Sequence, residues 1–173
     1  VHRVFPDGTH QGHLKSRIKT TAKVNLGNVY LGLHQYEKAV DFHKNALTEA
    51  RLLDDRALET SILSSLGISS LLVSDFPQAI AYQEQALKQF RALDNRQGEA
   101  STLINLGLID FSKGEFSQAV ARYQEALAIA QTTSRRSMEA SARGNLCNEY
   151  QILCNYHNAP DALHQQQHEL AQT

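Results

Sequence analysis

Apolar side chains recur along the chain with the spacing of an amphipathic helix. One run places apolar residues at positions i, i+3, i+4 and i+7, namely Phe116, Ala119, Val120 and Tyr123. A similar run covers residues 103–111, and Gly114 lies between the two, where a glycine ends a helix readily. The pattern predicts a hairpin made of a helix A, a short turn and a helix B.

Several helix starts are also marked by capping residues. Asp75 precedes Phe76-Pro77, which combines a capping acid with a proline in the first helical turn. Asp54 and Asp94 precede the two helices that open the second and third hairpins. We expect these aspartates to cap the helices that follow them.

The hairpin pattern repeats every 40 residues. A Leu-Gly pair at 26–27 returns at 66–67 and 106–107, and as Leu-Cys at 146–147. An aromatic residue that opens helix B, a small residue within it and an Arg/Glu pair keep the same spacing: Tyr36, Phe76, Phe116 and Tyr156; Ala39, Ala79, Ala119 and Ala159; Arg56, Arg96 and Arg136 with Glu59, Glu99 and Glu139. The pattern indicates three hairpins and a degenerate fourth, whose helix B has Gln-Gln at 166–167 instead of Ala-Leu.

Small residues predict where the two helices of a hairpin approach each other. Gly27, Gly67 and Gly107 stand where a β-carbon would keep helix A away from helix B, and we expect Cys147 to be a buried, unreactive substitute there. One hairpin cannot bury its apolar face alone, whereas a stack of hairpins can. We therefore predict an all-α fold, an α-solenoid of stacked antiparallel hairpins.

The Leu-Gly pair, the aromatic residue that opens helix B and the Ala and Ala-Leu residues after it resemble the tetratricopeptide repeat. The 40-residue period is similar to the long-repeat class found in kinesin light chains, Pins-type adaptors and bacterial signalling proteins. The resemblance covers roughly Lys15 to Tyr156. It implies a right-handed superhelix whose concave face, lined by A helices, takes a peptide or partner segment. We expect an extended lead-in over 1–14 and one domain over 15–173, with repeats at 15–53, 55–93, 95–132 and 135–172.

Charge and composition narrow the range of partners. The chain has 17 Lys and Arg against 18 Asp and Glu, which lacks the basic excess that nucleic-acid binding needs. No apolar run reaches the roughly 20 residues of a membrane span, and residues 1–13 contain no apolar segment of a signal peptide. We expect a cytoplasmic protein that binds neither nucleic acid nor membrane. Because the chain starts without Met, we also expect it to be a fragment or a processed product.

Candidate chemistry is sparse. His164 and His168 have the i, i+4 spacing that can present two imidazoles to zinc, but the sequence places no third ligand. Cys147 and Cys154 are too far apart along a helix for a disulfide, so we expect both to be reduced. The repeated Arg/Glu pairs are best explained as surface pairs at i, i+3. We expect no enzymatic activity, no cofactor and no metal.

One polar column stands immediately before the Leu-Gly pair: Asn25, Ser65, Asn105 and Asn145. The geometry that the resemblance implies turns this column toward the concave groove, with a neighbouring row three residues further on: Asn28, Ile68, Leu108 and Asn148. An Asn side chain can both donate to and accept from a peptide backbone. These eight residues are the predicted peptide-binding groove; the alternative is that Asn simply tolerates a hydrated helix face.

Two functions fit these patterns. The first is a scaffold that binds a peptide or a segment of a partner protein in the concave groove. The alternative is a regulatory sensor module of a larger signalling protein, in which a ligand in the groove changes the pitch of the superhelix. The first repeat has no polar cap, so we also expect weak self-association through the N-terminal end.

Overall fold

The computed structural model describes residues 7–133 and 137–148, and this part of the chain contains helices and short linkers with no strand. Six helices are α1 (Asp7–Gly32), α2 (Tyr36–Leu52), α3 (Arg56–Leu72), α4 (Phe76–Ala92), α5 (Arg96–Ser112) and α6 (Phe116–Thr132). Residues 137–148 are also helical and are called α7. The all-α prediction is confirmed. His164, His168, Cys154 and most of the fourth repeat lie outside the described residues.

From α2 to α6, the helices have the same length and begin at regular intervals along the chain. Each helix from α2 to α6 has 17 residues, and the five begin at residues 36, 56, 76, 96 and 116. The 40-residue repeat is therefore built from two helices of equal length joined by linkers of equal length. This regularity brings equivalent side chains of successive hairpins to equivalent places in the stack.

Each of the five linkers between α1 and α6 turns through one residue in the left-handed backbone region. These residues are His34, Asp54, Ser74, Asp94 and Gly114, with φ between 49° and 81°. The residue after each one donates its N–H to a carbonyl five residues earlier, as Asp75 does to Ser70 at 2.9 Å. Such a bond satisfies a carbonyl at the end of the helix and closes the turn tightly.

The helix caps follow immediately after these turns. Asp55 accepts the N–H of Leu58 at 3.0 Å, and Asp75 accepts that of Gln78 at 3.3 Å. The predicted cap at Asp75 is confirmed. The caps predicted at Asp54 and Asp94 are wrong by one residue, because both aspartates hold the left-handed turn position and leave the capping to the residue that follows.

The helices pair into hairpins that stack in chain order. α1 packs on α2, α3 on α4 and α5 on α6, while α2 also packs on α3 and α4 on α5. Three clusters of buried apolar residues lie between these layers, and α7 joins two of them, one through Ala142 and the other through Leu146. The result is an α-solenoid of antiparallel hairpins, as the sequence predicts.

The stack curves with the A helices, α1, α3, α5 and α7, on its inner side. α1 touches α3, and α3 touches α5. Among the described residues, the backbones of the B helices, α2, α4 and α6, do not approach one another closely, and the ion pair between Arg91 and Glu125 joins α4 to α6 through long side chains. Since the A helices approach one another more closely, they form the inner wall of the curve.

The N-terminal segment differs from the expected extended lead-in over 1–14. α1 begins at Asp7, so residues 7–14 are helical and the prediction is wrong for that stretch. Leu14 and Ile18 extend the helical i, i+4 spacing of apolar residues toward the N-terminus of α1. His13 also holds this end of the helix, since its Nε2 atom lies 3.1 Å from the Leu53 carbonyl oxygen. With 26 residues, α1 is longer than α3 and α5, which have 17 residues each.

Candidate functional site

The two helices of each hairpin approach each other closely at the glycines of the Leu-Gly pairs. A β-carbon on Gly27, Gly67 or Gly107 would lie less than 3.0 Å from a side chain of the following helix. The side chains that fill this space are His43, Gln83 and Tyr123, all fully buried. The predicted role of the three glycines is confirmed, and it sets the separation between the inner and outer helices.

Cys147 does not share this burial. The cysteine is exposed, so the prediction of a buried substitute for glycine is wrong. The residues of α7 that pack toward α6 are Met138, Ala142 and Leu146, and Cys147 lies beside that stripe.

His43 joins three helices through a buried imidazole. Its Nε2 atom lies 3.3 Å from the Val24 carbonyl in α1, and its Nδ1 atom lies 2.8 Å from the Ser69 hydroxyl in α3. Burial lowers the pKa of His43, and the hydrogen bond to Val24 only partly offsets that effect. Because the Val24 carbonyl can only accept, the Nε2–H group of the neutral ring donates to it, and Nδ1 then competes with the Ser65 carbonyl, 2.8 Å away, for the single hydroxyl hydrogen of Ser69.

Gln83 occupies the same place in the second hairpin. Its Nε2 atom donates to the Ser64 carbonyl at 3.0 Å, which reproduces the bond from His43 to Val24 one repeat later. Its Oε1 atom is buried and has no hydrogen-bond partner in the described part of the chain. Sequence reasoning missed His43 and Gln83. The only signal for them was a pair of polar residues, 40 positions apart, on an otherwise apolar helix face.

The repeated Arg/Glu pairs are more than surface pairs. Arg96 binds Glu99 at 3.0 Å as predicted, but Arg91 also binds Glu99, at 2.7 Å, and reaches Glu125 at 2.6 Å. The Glu99 side chain is only 6% exposed. This network links α4, α5 and α6.

Of the other two Arg/Glu pairs, one differs from the prediction and one lies partly outside the described residues. Glu59 binds Arg51 of the preceding helix at 2.9 Å rather than Arg56. Glu139 binds Arg143 at 2.7 Å, and Arg136 lies outside the described residues. The i, i+3 assignment is therefore wrong for Glu59, because the arginine eight residues earlier reaches it across the linker.

A buried ion pair joins the helices of the third hairpin. Arg122 Nε lies 2.7 Å from the Asp110 carboxylate, which is almost fully buried. At the equivalent place in the first hairpin, Tyr30 stacks on Phe42 with ring centroids 5.1 Å apart. The same pair of positions therefore forms an aromatic contact in the first repeat and an ion pair in the third.

The structure places the predicted groove residues on the A helices in repeating rows. Five of the eight are exposed and three are half-buried: Asn25, Asn28, Ile68, Leu108 and Asn148; Ser65, Asn105 and Asn145. None is buried between hairpins. A further row of exposed hydroxyl residues stands four positions before the first: Thr21, Ser61, Ser101 and Ser141. We call these twelve residues the inner stripe.

The polar groups of the inner stripe divide into occupied and available ones. Thr21, Ser65 and Ser141 donate their hydroxyls to carbonyls of their own helices, at 2.9, 3.2 and 3.0 Å. Among the described residues, the side-chain amides of Asn25 and Asn105 have no hydrogen-bond partner, and neither does that of Asn145. These amides are free to meet a ligand.

An open pocket of about 420 Å³ lies on this inner surface between α3 and α5. Its lining contains no charged residue and consists of Ala57, Ser61, Ser64, Ser65, Phe90, Asn95, Gln97, Gly98 and Ser101. The inner stripe is also uncharged throughout. Hydroxyl, amide and aliphatic groups therefore define the chemistry of this surface.

The described part of the chain contains neither a metal-binding cluster nor a membrane-spanning helix. No group of three or more His, Cys, Asp or Glu side chains there is arranged to hold a metal ion. Its helices are also too short or too polar to cross a membrane.

Comparison with solved structures identifies similar folds. BtubC (BKLC) from P. vanneervenii superposes with a TM-score of 0.69 at 23% identity, over 88% of this chain and 63% of BtubC. A signal transduction ATPase with numerous domains from Pyrococcus horikoshii, which has a tetratricopeptide repeat sensor, gives 0.72 at 20% identity, over 84% of this chain and 23% of that protein. The chain thus spans less than two thirds of either protein.

Family assignment comes from the sequence model of the repeat. No curated protein matches the chain. The tetratricopeptide repeat model matches residues 19–92 and 59–132, which together cover most of the described helices. Repeats of this kind form protein–protein interaction modules. The chain belongs to the tetratricopeptide repeat family.

Proposed function

We propose that the chain binds an extended, uncharged segment of a partner protein along the inner stripe. The observation that carries this proposal is the set of amides at Asn25, Asn105 and Asn145, which stand at one position of α1, α5 and α7 without partners in the described structure, while α3 has Ser65 there. Each can donate to and accept from a peptide backbone at once. An extended segment crossing the A helices meets one amide in each of these repeats.

The neutral inner surface supports an uncharged occupant. A charged side chain placed on the stripe would lose hydration without gaining an opposite charge, which is unfavourable. Ile68 and Leu108 offer apolar contacts beside the amides, so selectivity would come from small apolar or hydroxyl side chains. Each amide bond contributes about 0.5–1.5 kcal/mol net, so several repeats together give an affinity on the order of micromolar.

The test begins with a random library of linear peptides selected on the wild-type chain. A selected peptide is then titrated by fluorescence anisotropy against two variants. Asn105→Ala/Asn145→Ala removes two amides of the inner stripe, and Asn45→Ala/Gln85→Ala removes two exposed amides from the outer helices. The second variant is the matched control.

The proposal predicts that the inner variant binds about tenfold more weakly or worse, which corresponds to the loss of two hydrogen bonds. The control should bind like wild type, and added salt should change neither value much because no charges meet. Equal binding by wild type and the inner variant would overturn the proposal, as would a library that yields mainly charged peptides.

A sensor module is the second candidate function. The likeness to the Pyrococcus horikoshii protein, whose tetratricopeptide repeats form a sensor, is the observation that favours it. A sensor must change its curvature when the groove is filled, whereas a scaffold need not. Small-angle scattering of the chain with and without a selected peptide separates the two: a changed radius of gyration supports the sensor, and an unchanged one supports the scaffold.

A further inference from the structure

The open pocket between α3 and α5 has an aromatic ring in its wall. The half-buried Phe90 reaches it from α4 and lies against Gly98 of α5, where a β-carbon would overlap the ring. This exchange of sizes brings an aromatic side chain to the inner surface, and we call the site the Phe90 pocket. The two neighbouring junctions have a small residue on the outer helix and a large one on the inner helix instead: Ala50 with Leu58, and Ala130 with Met138.

Two smaller or neutral residues keep the Phe90 pocket open and uncharged. In the first junction, Arg17 and Asp55 form an ion pair at 2.8 Å. Their equivalents 40 residues later are Ala57 and Asn95, which both line the pocket. Asn95 accepts the Gly98 N–H at 2.9 Å through its Oδ1 atom, so its NH₂ group remains as a donor. The second and third hairpins thus form a neutral cavity between them.

Hydrogen-bonding groups without partners surround the aromatic ring. The hydroxyls of Ser61, Ser64 and Ser101 line the pocket and make no hydrogen bond within the described residues. Ser64 stands where the first and third hairpins have Val24 and Ile104, so its hydroxyl is an addition at this junction. The pocket therefore offers an aromatic surface beside several groups that can donate and accept hydrogen bonds.

We propose that the Phe90 pocket receives a tyrosine side chain of the bound segment, which rests on the function proposed above for the inner stripe. A tyrosine ring packs against Phe90, and its hydroxyl exchanges hydrogen bonds with the serines. A phenylalanine would cover those hydroxyls without replacing their bonds to water, and a short polar side chain would leave the ring of Phe90 without an apolar contact. A phosphotyrosine is disfavoured because no cation lines the pocket.

A double-mutant cycle tests the contact with Phe90. Linear peptides selected on wild type are kept only if Asn105→Ala/Asn145→Ala weakens their binding, which restricts them to ligands of the inner stripe. These peptides should share a tyrosine, and its replacement by alanine should weaken binding to wild type at least tenfold. Phe90→Ala/Gly98→Leu, which copies the first junction, should bind the tyrosine peptide at least tenfold more weakly than wild type does. It should bind the alanine peptide like wild type.

Ser64→Val, which copies the first hairpin, tests the hydroxyl contact while keeping the ring of Phe90. Wild type should prefer the tyrosine peptide to its phenylalanine version by about three- to tenfold, and Ser64→Val should lose this preference. The phosphotyrosine version should bind wild type more weakly than the unmodified peptide. Thermal unfolding followed by circular dichroism checks that each variant is folded.

The outcomes separate the Phe90 pocket from the inner stripe. Peptides that need the amides of Asn105 and Asn145 but bind equally well with tyrosine, phenylalanine or alanine contradict the tyrosine assignment and leave the proposed function intact. The assignment also fails if Ser64→Val keeps the full preference for tyrosine, or if the phosphotyrosine peptide binds more tightly. A library in which every ligand ignores Asn105→Ala/Asn145→Ala, or which yields no ligand, contradicts both proposals.

Discussion

The imidazole of His43 lies directly against Gly27, so close that a β-carbon on the glycine would overlap the ring. The same relationship joins Gln83 to Gly67 and Tyr123 to Gly107. In each hairpin the inner helix supplies a residue without a side chain, and the outer helix fills the space with a large buried group. This contact fixes the distance at which the inner stripe is held from the outer helices.

Acid should destabilise the fold through His43. Burial lowers the pKa of His43 in the folded chain below its ordinary value of 6.5, so the unfolded chain binds the proton more tightly. The contribution of His43 to stability is therefore complete above that value and declines as the pH falls below it. Urea unfolding should show a lower free energy of unfolding at about pH 5.5 than at about pH 7.5, and one proton can account for at most about 1.4 kcal/mol per pH unit. In His43→Gln, which copies the second hairpin, this part of the pH dependence should vanish; an unchanged dependence would contradict the assignment.

Gly67→Leu should destabilise the chain by about 1–3 kcal/mol or more, because the new side chain would collide with buried Gln83. Thermal unfolding followed by circular dichroism measures the effect. Gly12→Leu is the control, since nothing lies within 4 Å of a β-carbon at Gly12 in α1. The control should leave the melting temperature unchanged or raise it, because leucine favours helix more than glycine does. Equal effects from the two substitutions would show that contact with Gln83 is unimportant.

Gln83→Met should stabilise the chain by about 1 kcal/mol. The substitution keeps the shape of the side chain but removes the buried Oε1 atom that has no partner in the described structure. The Ser64 carbonyl loses one donor, yet it remains within a helix. Chemical denaturation of wild type and variant measures the difference, with Gln85→Met on the exposed outer face as the control. A less stable Gln83→Met variant would mean that Oε1 is satisfied by an ordered water.

Arg122→Met should cost about 3 kcal/mol, because it leaves the buried carboxylate of Asp110 without its counter-charge. The second hairpin offers a matched repair, since Ser70 and Tyr82 stand at the equivalent positions. The double variant Asp110→Ser/Arg122→Tyr should recover most of the lost stability. Unfolding free energies of the three proteins provide the comparison. A double variant as unstable as Arg122→Met would show that the charge is not the cause.

The sequence predicts the helices because columns such as Leu26, Leu66 and Leu106 report directly which face of a helix is apolar. The sequence also predicts the glycine contacts correctly. A glycine that recurs every 40 residues at the same helix position indicates that another helix packs closely there. It cannot tell which arginine reaches Glu59, because Arg51 approaches from another helix across a linker.

The inner stripe shows a similar limit. Residue spacing and the family resemblance place Asn105 on the A helix, and the structure adds that its amide is half-buried and without a partner in the described residues. The polar residues His43 and Gln83 were missed because an isolated polar residue on an apolar helix face does not reveal the carbonyl that it binds. The hydrogen-bond partners of His43 and Gln83 depend on how neighbouring helices pack. The periodic pattern of the sequence does not determine that packing in enough detail.

The most direct test of the proposed binding surface is photo-cross-linking of a selected library peptide. A benzophenone amino acid is introduced in place of Leu108 on the inner stripe, or in place of Gln85 on the outer face as the control. Both proteins are irradiated with the peptide at a concentration that saturates wild type, and the products are identified by mass spectrometry. The account predicts a peptide adduct from position 108 and none from position 85. An adduct from position 85 alone, with the peptide still bound, would contradict it.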